Sequence, residues 1–382
     1  MLPRLLFPIT RSPILPLMLL PSLLACSSAP PAPEPLSEAA LEAVADDPGA
    51  SVNQVARAVD NLFTDEAVGE TRAVVLMHDG EIAAERYAPG YSSGTRFVSW
   101  SMAKTVTAAM IGMLVADGRL DLDQPAPVPR WNRPGDPRAE ITLRQLLQMR
   151  SGLRHTESGD PPYDSSEVRM LFLDGRDDMA EFATAQPLEA EPGAKFEYSS
   201  NTSVILADIA ARALTESTDP DQRRKAVAGY LQTRLFAPLG MTSMVPEFDS
   251  AGTLIGGSLI HGTARDWAQF GEFLRLQGSH NGAQLLPRGW VEAMVEPSPA
   301  SPHYGFQTWL NRDFDGAEGE EHPLFPTRAP GSAFAMIGHM GQYTVISPEQ
   351  RVTLVRLGHS DAAERSALLP RLAEVLELYP AR

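Results

Sequence analysis

Residues 97–118 read FVSWSMAKTVTAAMIGMLVADG, an apolar run that carries a hydroxyl at Ser101 and an amine at Lys104. Met102, Val106, Ala109, Met110 and Met113 recur at helical spacing, which predicts a helix with a buried stripe and a stop at Gly118. Residues three apart on a helix are surface neighbours, so Ser101 and Lys104 should meet. Ser101 stands at the helix start, where free backbone N–H groups and the dipole favour a developing anion. A serine hydroxyl is a weak nucleophile until its proton is removed. A lysine kept partly dry, near other positive character, has its pKa lowered enough to remove it. The pair therefore predicts nucleophilic catalysis by Ser101. The same spacing also suits an N-cap serine beside a lysine that snorkels to solvent, which would do no chemistry.

The rest of the chain must hold this helix. Residues 51–66 place Val52, Val55, Val59, Leu62 and Phe63 on one helical face. RAVVLMHDGEIAAERYAPG follows, with two apolar runs around Asp79-Gly80, a strong hairpin signal. QYTVISPEQRVTLVRLGHS predicts a second hairpin turning at residues 347–350, and RLAEVLELY a final helix. Between about 125 and 250 the pattern is helix and loop, as in TLRQLLQMRSGL, MAEFATAQ, NTSVILADIAARALTE and AVAGYLQTRLFAPLGM. The economical arrangement is α+β: one antiparallel sheet built from both ends of the chain and flanked by helices, with an all-helical subdomain inserted. The expected boundaries are a sheet subdomain at 51–125 and 250–382 and a helical subdomain at 126–249. Trp267 is expected in the core. Asp65, Glu66 and the DGAEGEEH stretch are expected on a solvated surface.

Seven segments occur in order: RFVSWSMAKTVTAAMIGMLVADGRLDLDQP, ITLRQLLQMRSGL, EPGAKFEYSSNTS, FAPLGM, GGSLIHGTARDWAQFGEFL, YGFQTWL and GHMGQYTVISPEQRVTLVRLG. Together they resemble the β-lactamase-related serine hydrolases: class C β-lactamases, DD-peptidases, esterases of that fold and 6-aminohexanoate-dimer hydrolases. The resemblance covers roughly residues 52–380 and implies the β-lactamase/transpeptidase-like fold. It also implies that Ser101 is acylated and that Lys104 and Tyr198 move the protons. Ser200 and Asn201 fall near a position that binds substrate. His339-Met340-Gly341 falls where β-lactamases carry Lys-Thr-Gly on an inner strand. There Gly341 would let substrate approach the strand, and the N–H of Gln342 would join that of Ser101 in an oxyanion hole. Trp100, Trp309 and Tyr343 are candidates for the pocket mouth, against a default of core packing. His339 departs from the β-lactamase pattern, because a histidine is mostly neutral at pH 7 where a fixed cation would hold a substrate carboxylate. That favours the ester and amide hydrolases over the alternative, a penicillin-recognising DD-peptidase or weak β-lactamase. A rival of another class is a non-catalytic envelope lipoprotein that keeps the fold for binding. Neither a cofactor nor a metal is implied.

The 382 residues carry a formal charge of −16, which repels phosphate backbones and argues against nucleic-acid partners. With one cysteine, Cys26, there is no intrachain disulfide and no multi-thiolate zinc site. Residues 1–25 combine Arg4 and Arg11 with a proline-broken apolar run, as an export signal does. Leu23-Leu24-Ala25-Cys26 resembles a bacterial lipobox with Cys26 as the lipidated residue; an ordinary signal with an incidental cysteine is the alternative. Residues 26–50, opening SSAPPAPEPLSE after the cysteine, are expected to be a flexible tether. The expectation is a lipid-anchored envelope protein on the periplasmic side of the outer membrane, acting on a small ester, amide or peptide-like substrate.

Overall fold

The computed structural model describes residues 35–313 and 323–382. Residues 36–382 form one compact unit. Its first helices are α1 (Glu38–Glu42) and α2 (Val52–Thr64). Strands β1 (Glu70–His78) and β2 (Glu81–Tyr87) follow. Asp79 and Gly80 between them both have positive φ, 54° and 88°, as the Asp-Gly turn requires. The short strand β3 (Phe97–Val98) leads through a 3₁₀ turn, Trp100–Met102, into α3 (Ala103–Ala116).

Helices α4 (Leu143–Leu147), α5 (Ser166–Phe172), α6 (Met179–Thr184), α7 (Ser200–Leu214) and α8 (Pro220–Leu231) fill the middle of the chain. Strands β4 (Val245–Pro246) and β5 (Ile260–Gly262) join β3 in a small sheet of order β3-β5-β4. After α9 (Ala264–Arg275) come a two-residue hairpin, β6 (Ser279–His280) and β7 (Ala283–Gln284), and α10 (Arg288–Met294). Strands β8 (Trp309–Leu310), β9 (Phe334–Gly338), β10 (Gln342–Ser347) and β11 (Val352–His359) precede the closing helix α11 (Ala362–Leu376).

The main sheet has the order β2-β1-β11-β10-β9-β8. Its pairs are antiparallel, and β1 from the N-terminal part pairs β11 from the C-terminal part. Side chains alternate between two cores, as strand geometry demands. Val75, Met77, Met336, Ile346, Val355 and Leu357 face the core shared with α3 and α9. Val74, Leu76, Tyr343, Val345, Val352 and Leu354 face the core shared with α2 and α11.

Two expectations need correction. Helix α3 buries its surface all round, from Ala103 to Leu114, and not on a single stripe. It lies between the sheet layer and the helical layer. Its polar side chains are satisfied inside: Thr105 donates to the Gln307 carbonyl and Thr107 to that of Gly256, both at 2.8 Å. The C-terminal part of the supposed tether is also ordered. The Ala45 N–H donates to the Ala83 carbonyl, and the Glu85 N–H to that of Ala43. Residues 43–45 thereby cover the outer edge of β2, which would otherwise present unpaired groups to solvent. The export signal, Cys26 and the DGAEGEEH stretch lie outside the described residues.

One buried cation ties the hairpin turn beside the cavity to the sheet. Arg356 on β11 has no exposed surface. It donates to the Gly341 carbonyl at 2.9 Å, the Glu70 carbonyl at 3.0 Å and the Thr71 hydroxyl at 3.0 Å. Burial pushes its pKa down to about 10, so it stays charged at neutral pH. Arg356→Met keeps the apolar stem but orphans these acceptors, and is expected to cost about 2–4 kcal/mol of unfolding free energy in urea titrations. A loss below about 0.5 kcal/mol would show that the acceptors find other partners.

Candidate active site

Ser101 sits in the 3₁₀ turn ahead of α3, so Lys104 occupies the helix's first turn. Trp100, just before the serine, has a φ of 46°, a conformation that costs a non-glycine residue energy and turns the chain sharply at this point. The Lys104 side chain is 1% exposed. Its ammonium donates to Ser101 Oγ at 3.0 Å, Ser200 Oγ at 2.8 Å and the Gly257 carbonyl at 2.8 Å. Three donors meet three acceptors, which is what makes a buried ammonium tolerable. Above it lies the Tyr198 ring, with its centroid 4.8 Å from Nζ. The Tyr198 hydroxyl is electrostatically coupled to both Lys104 and Ser101.

Local sequence explains why these groups converge. Ser199 is the N-cap of α7, and its hydroxyl accepts the Thr202 N–H. The cap fixes the flanking Tyr198 and Ser200 at the head of the helix. Gly257 lies against Ser200, and a Cβ there would come within 3.0 Å of the Ser200 carbonyl. The missing side chain at Gly257 keeps this carbonyl-bearing backbone in tight contact with α7 and within reach of Lys104.

Two carboxylates complete the cluster. Glu157 accepts from the Ser200 N–H and the Ser200 hydroxyl, both at 2.6 Å, and lies 3.7 Å from Lys104 Nζ. Glu167, in the first turn of α5, lies 3.4 Å from Ser200 Oγ. Burial, then the charge of Glu157, push the Glu167 carboxyl up to about 7, against the pull of Lys104 and the Ser200 hydrogen bond. Burial pushes the Lys104 pKa down, but Tyr198, Glu157 and Glu167 outweigh it and hold the ammonium above the ordinary lysine value. The expected lowering fails because the lysine's neighbours are acids and not cations. Burial raises the Tyr198 phenol, with Lys104 opposing.

The cluster opens on a cavity of about 660 Å³. Ser101, Trp100 and Tyr198 line one part of it, Glu157, Glu167, Val168 and Phe172 another, and Trp309, Gly338, His339 and Arg365 the rest. A concave, mainly apolar space with a few convergent polar groups suits a small organic substrate.

A β-lactamase family profile matches residues 59–377. The chain belongs to the β-lactamase family. It is similar to the 6-aminohexanoate-dimer hydrolase of Paenarthrobacter ureafaciens, 26% identical over 232 residues, which cover 59% of this chain and 57% of that protein. The match thus spans little more than half the relative's length. Among solved structures, a Bacillus anthracis protein provisionally described as a 6-aminohexanoate-dimer hydrolase aligns over 84% of this chain and 83% of its own, with TM-score 0.67 and 23% identity. A family VIII carboxylesterase aligns over 86% and 96%, with TM-score 0.59 and 16% identity. At such identities the structures speak for the fold.

Within this β-lactamase-family site, the structure brings Ser101, Lys104, Tyr198 and Ser200 together. Ser200 is fully buried and binds Lys104, so it is no substrate contact. Asn201 is also buried; it accepts from the Ser166 hydroxyl at 3.0 Å and ties α7 to α5. The Gly338–Gln342 pair closes the β9–β10 ladder, so His339-Met340-Gly341 is a hairpin turn and not an inner strand. Gly341 has φ 78° there and a carbonyl bonded to Arg356, away from the cavity wall. Gln342 is likewise absent from that wall. Its amide plugs the turn from within, donating to the Met340 carbonyl at 3.0 Å and that of Gly358 at 2.7 Å. Tyr343 points to the opposite face, into the core under α2 and α11. Trp100, Trp309 and His339 do face the cavity, and Trp267 is core. Burial, then the charges of Arg365 and His359, lower the His339 pKa, so the ring is neutral at pH 7.

Glu157 and Glu167 were invisible as site residues, because HTESGDPPYDSSEV reads as a polar loop. The turn was legible: a glycine closing three residues between apolar strands is a hairpin signal. A stability test follows from Glu167. The folded carboxyl keeps its proton up to about pH 7, whereas the unfolded one loses it near the ordinary 4.5. The resulting stabilisation is full below 4.5 and is lost as pH rises through 7. Glu167→Gln should therefore match wild type at pH 4.5 and exceed it at pH 8 by on the order of 2 kcal/mol, measured by urea denaturation. An equal difference at both pH values would contradict the buried-acid account.

Proposed function

We propose that the protein cleaves an ester or amide bond of a small substrate through an acyl-enzyme on Ser101. The observation that carries this reading is the contact of Lys104 with Ser101 at 3.0 Å inside a buried cluster that opens on the cavity. Ser101 Oγ attacks the carbonyl carbon while its proton leaves along the contact to Lys104. Tyr198, coupled to both, delivers a proton to the departing amine or alcohol. Water then attacks the ester of Ser101 by the same route in reverse. The oxyanion is assigned to the Ser101 N–H and, in place of Gln342, to that of His339. His339 is the first residue beyond the ladder and faces Trp100, with ring centroids 5.4 Å apart. Each such donor contributes about 3 kcal/mol to the transition state. The ester and amide reading also draws on the named activities of the relatives.

A second reading, recognition of penicillin-like or D-peptide substrates, has one observation in its favour. Arg365 lines the cavity and makes no ion pair among the described residues, so a substrate carboxylate has a cation to meet. The envelope location remains a proposal resting on the Cys26 segment, with palmitate incorporation in wild type and not in Cys26→Ala as its test.

A fluorophosphonate probe should label purified residues 27–382 on Ser101, and labelling should vanish in Ser101→Ala. Equal absence in both proteins would overturn the hydrolase mechanism. Tyr198→Phe should lower kcat on p-nitrophenyl and amide substrates by about 10²-fold or more. Rapid, stable acylation by a labelled penicillin would favour the second reading over the first.

A further inference from the structure

A continuous hydrogen-bonded chain leaves the nucleophile and ends on two half-buried acids. It runs from Ser101 Oγ to Lys104 Nζ over 3.0 Å, on to Ser200 Oγ over 2.8 Å, and then to Glu157 Oε1 over 2.6 Å. Glu167 Oε1 lies 3.4 Å from the same hydroxyl. The other Glu157 oxygen is held by the Ser200 N–H, which aims the carboxylate at the chain's end. Lys104, kept as an ammonium by these acids, has no vacant lone pair to receive a proton unless it gives one away. The chain supplies the exit.

We propose that Glu157 and Glu167 together receive the proton released by Ser101 on acylation, through Lys104 and Ser200. This rests on the reading of Ser101 as the nucleophile. In the step, the Ser101 O–H bond breaks, the Oγ–carbon bond forms and the carbonyl π electrons move to oxygen. The Ser101 proton passes to Lys104 as Lys104 passes one to Ser200 Oγ. The Ser200 proton passes to the carboxylate pair. Lys104 begins and ends as an ammonium, and one proton has moved to the acids. When the intermediate collapses, the carbon–leaving-group bond breaks and the proton returns along the chain, through Lys104 and Tyr198, to the leaving nitrogen or oxygen. Glu157 and Glu167 touch no reacting atom and are positioning residues.

The pair can take that proton only while it carries none already. The groups facing Glu167 are Glu157 from the preceding loop, Lys104 from α3 and the Ser200 hydroxyl from the head of α7, with Tyr198 lining the same cavity. His339 and Arg365 lie elsewhere on the same cavity wall, from the β9–β10 turn and α11. Two acids against one ammonium leave one negative charge in excess, which keeps a proton on the pair up to near neutral pH. Acylation should therefore switch on as pH rises through about 7.

The test is the rate of fluorophosphonate labelling of Ser101 between pH 5 and 9, which requires no knowledge of the substrate. In wild type the rate should climb to a plateau through a midpoint near 7. Glu167→Gln keeps the shape but removes the like charge, so the midpoint should fall by about one pH unit or more. Ser200→Ala breaks the chain and should cut the plateau rate by about 10²-fold, with Ser200→Thr restoring most of it. An unchanged midpoint in Glu167→Gln, or a Ser200→Ala plateau within about threefold of wild type, would overturn the relay while leaving Ser101 as nucleophile. Failure of wild type to label would instead remove the hydrolase mechanism itself.

Discussion

Everything in the site is organised around one buried ammonium. Moving a lysine charge from water to a protein interior costs several kcal/mol, and the cost is offset only by good geometry and complete hydrogen bonding. Lys104 has both: three acceptors within 3.0 Å and a carboxylate at 3.7 Å. Each acceptor comes from a different part of the chain, Ser101 from the turn before α3, Ser200 from the head of α7 and Gly257 from the loop before β5. The cation thus acts as a rivet joining three segments, and Ser101 is one of the riveted parts. Correct folding and a correctly placed serine are the same condition.

The rivet constrains the backbone around it. Trp100 adopts a strained left-handed conformation so that the serine can leave β3 and enter the helix within three residues. Gly338 ends β9 where a Cβ would stand 2.3 Å from the Ser99 carbonyl oxygen, so only glycine lets the strand end close on the nucleophile's turn. These positions spend local stability on proximity, and the packing of the fully buried α3 makes good the loss.

How much of this was readable in the sequence depended on whether the signal was local. The Asp79-Gly80 turn, the amphipathic α2 and the Ser101/Lys104 pair each carry their meaning within a few residues, and the structure has the hairpin, the helix and the 3.0 Å contact. The all-round burial of α3 was not readable, because a helix cannot report a second layer that covers its polar-looking threonines. Neither was the role of Glu157 and Glu167: their meaning lies in their common distance to Ser200, more than thirty residues away in the chain. One cause accounts for Gln342 and Tyr343 standing off the cavity wall. A pattern aligned as strand proved to be a turn at 339–341, which moved the cavity-facing end of the sheet back to Gly338 and His339.

The same geometry indicates where substrate preference resides. The reacting cluster is drawn from the buried start of α3, the head of α7 and the end of β9, where any change disturbs packing. The cavity wall beyond it comes from the loop and helix spanning Glu157–Phe172 and from Arg365 on α11. Glu157 and Glu167 in that stretch belong to the Lys104 cluster as well, whereas the half-buried Val168 and the exposed Phe172 belong only to the wall. The wall is acidic on one part and cationic on another, with a neutral His339 between Arg365 and the serine's turn. The space between Glu167 and Arg365 thus offers an acid, a cation and an apolar length to whatever enters the cavity.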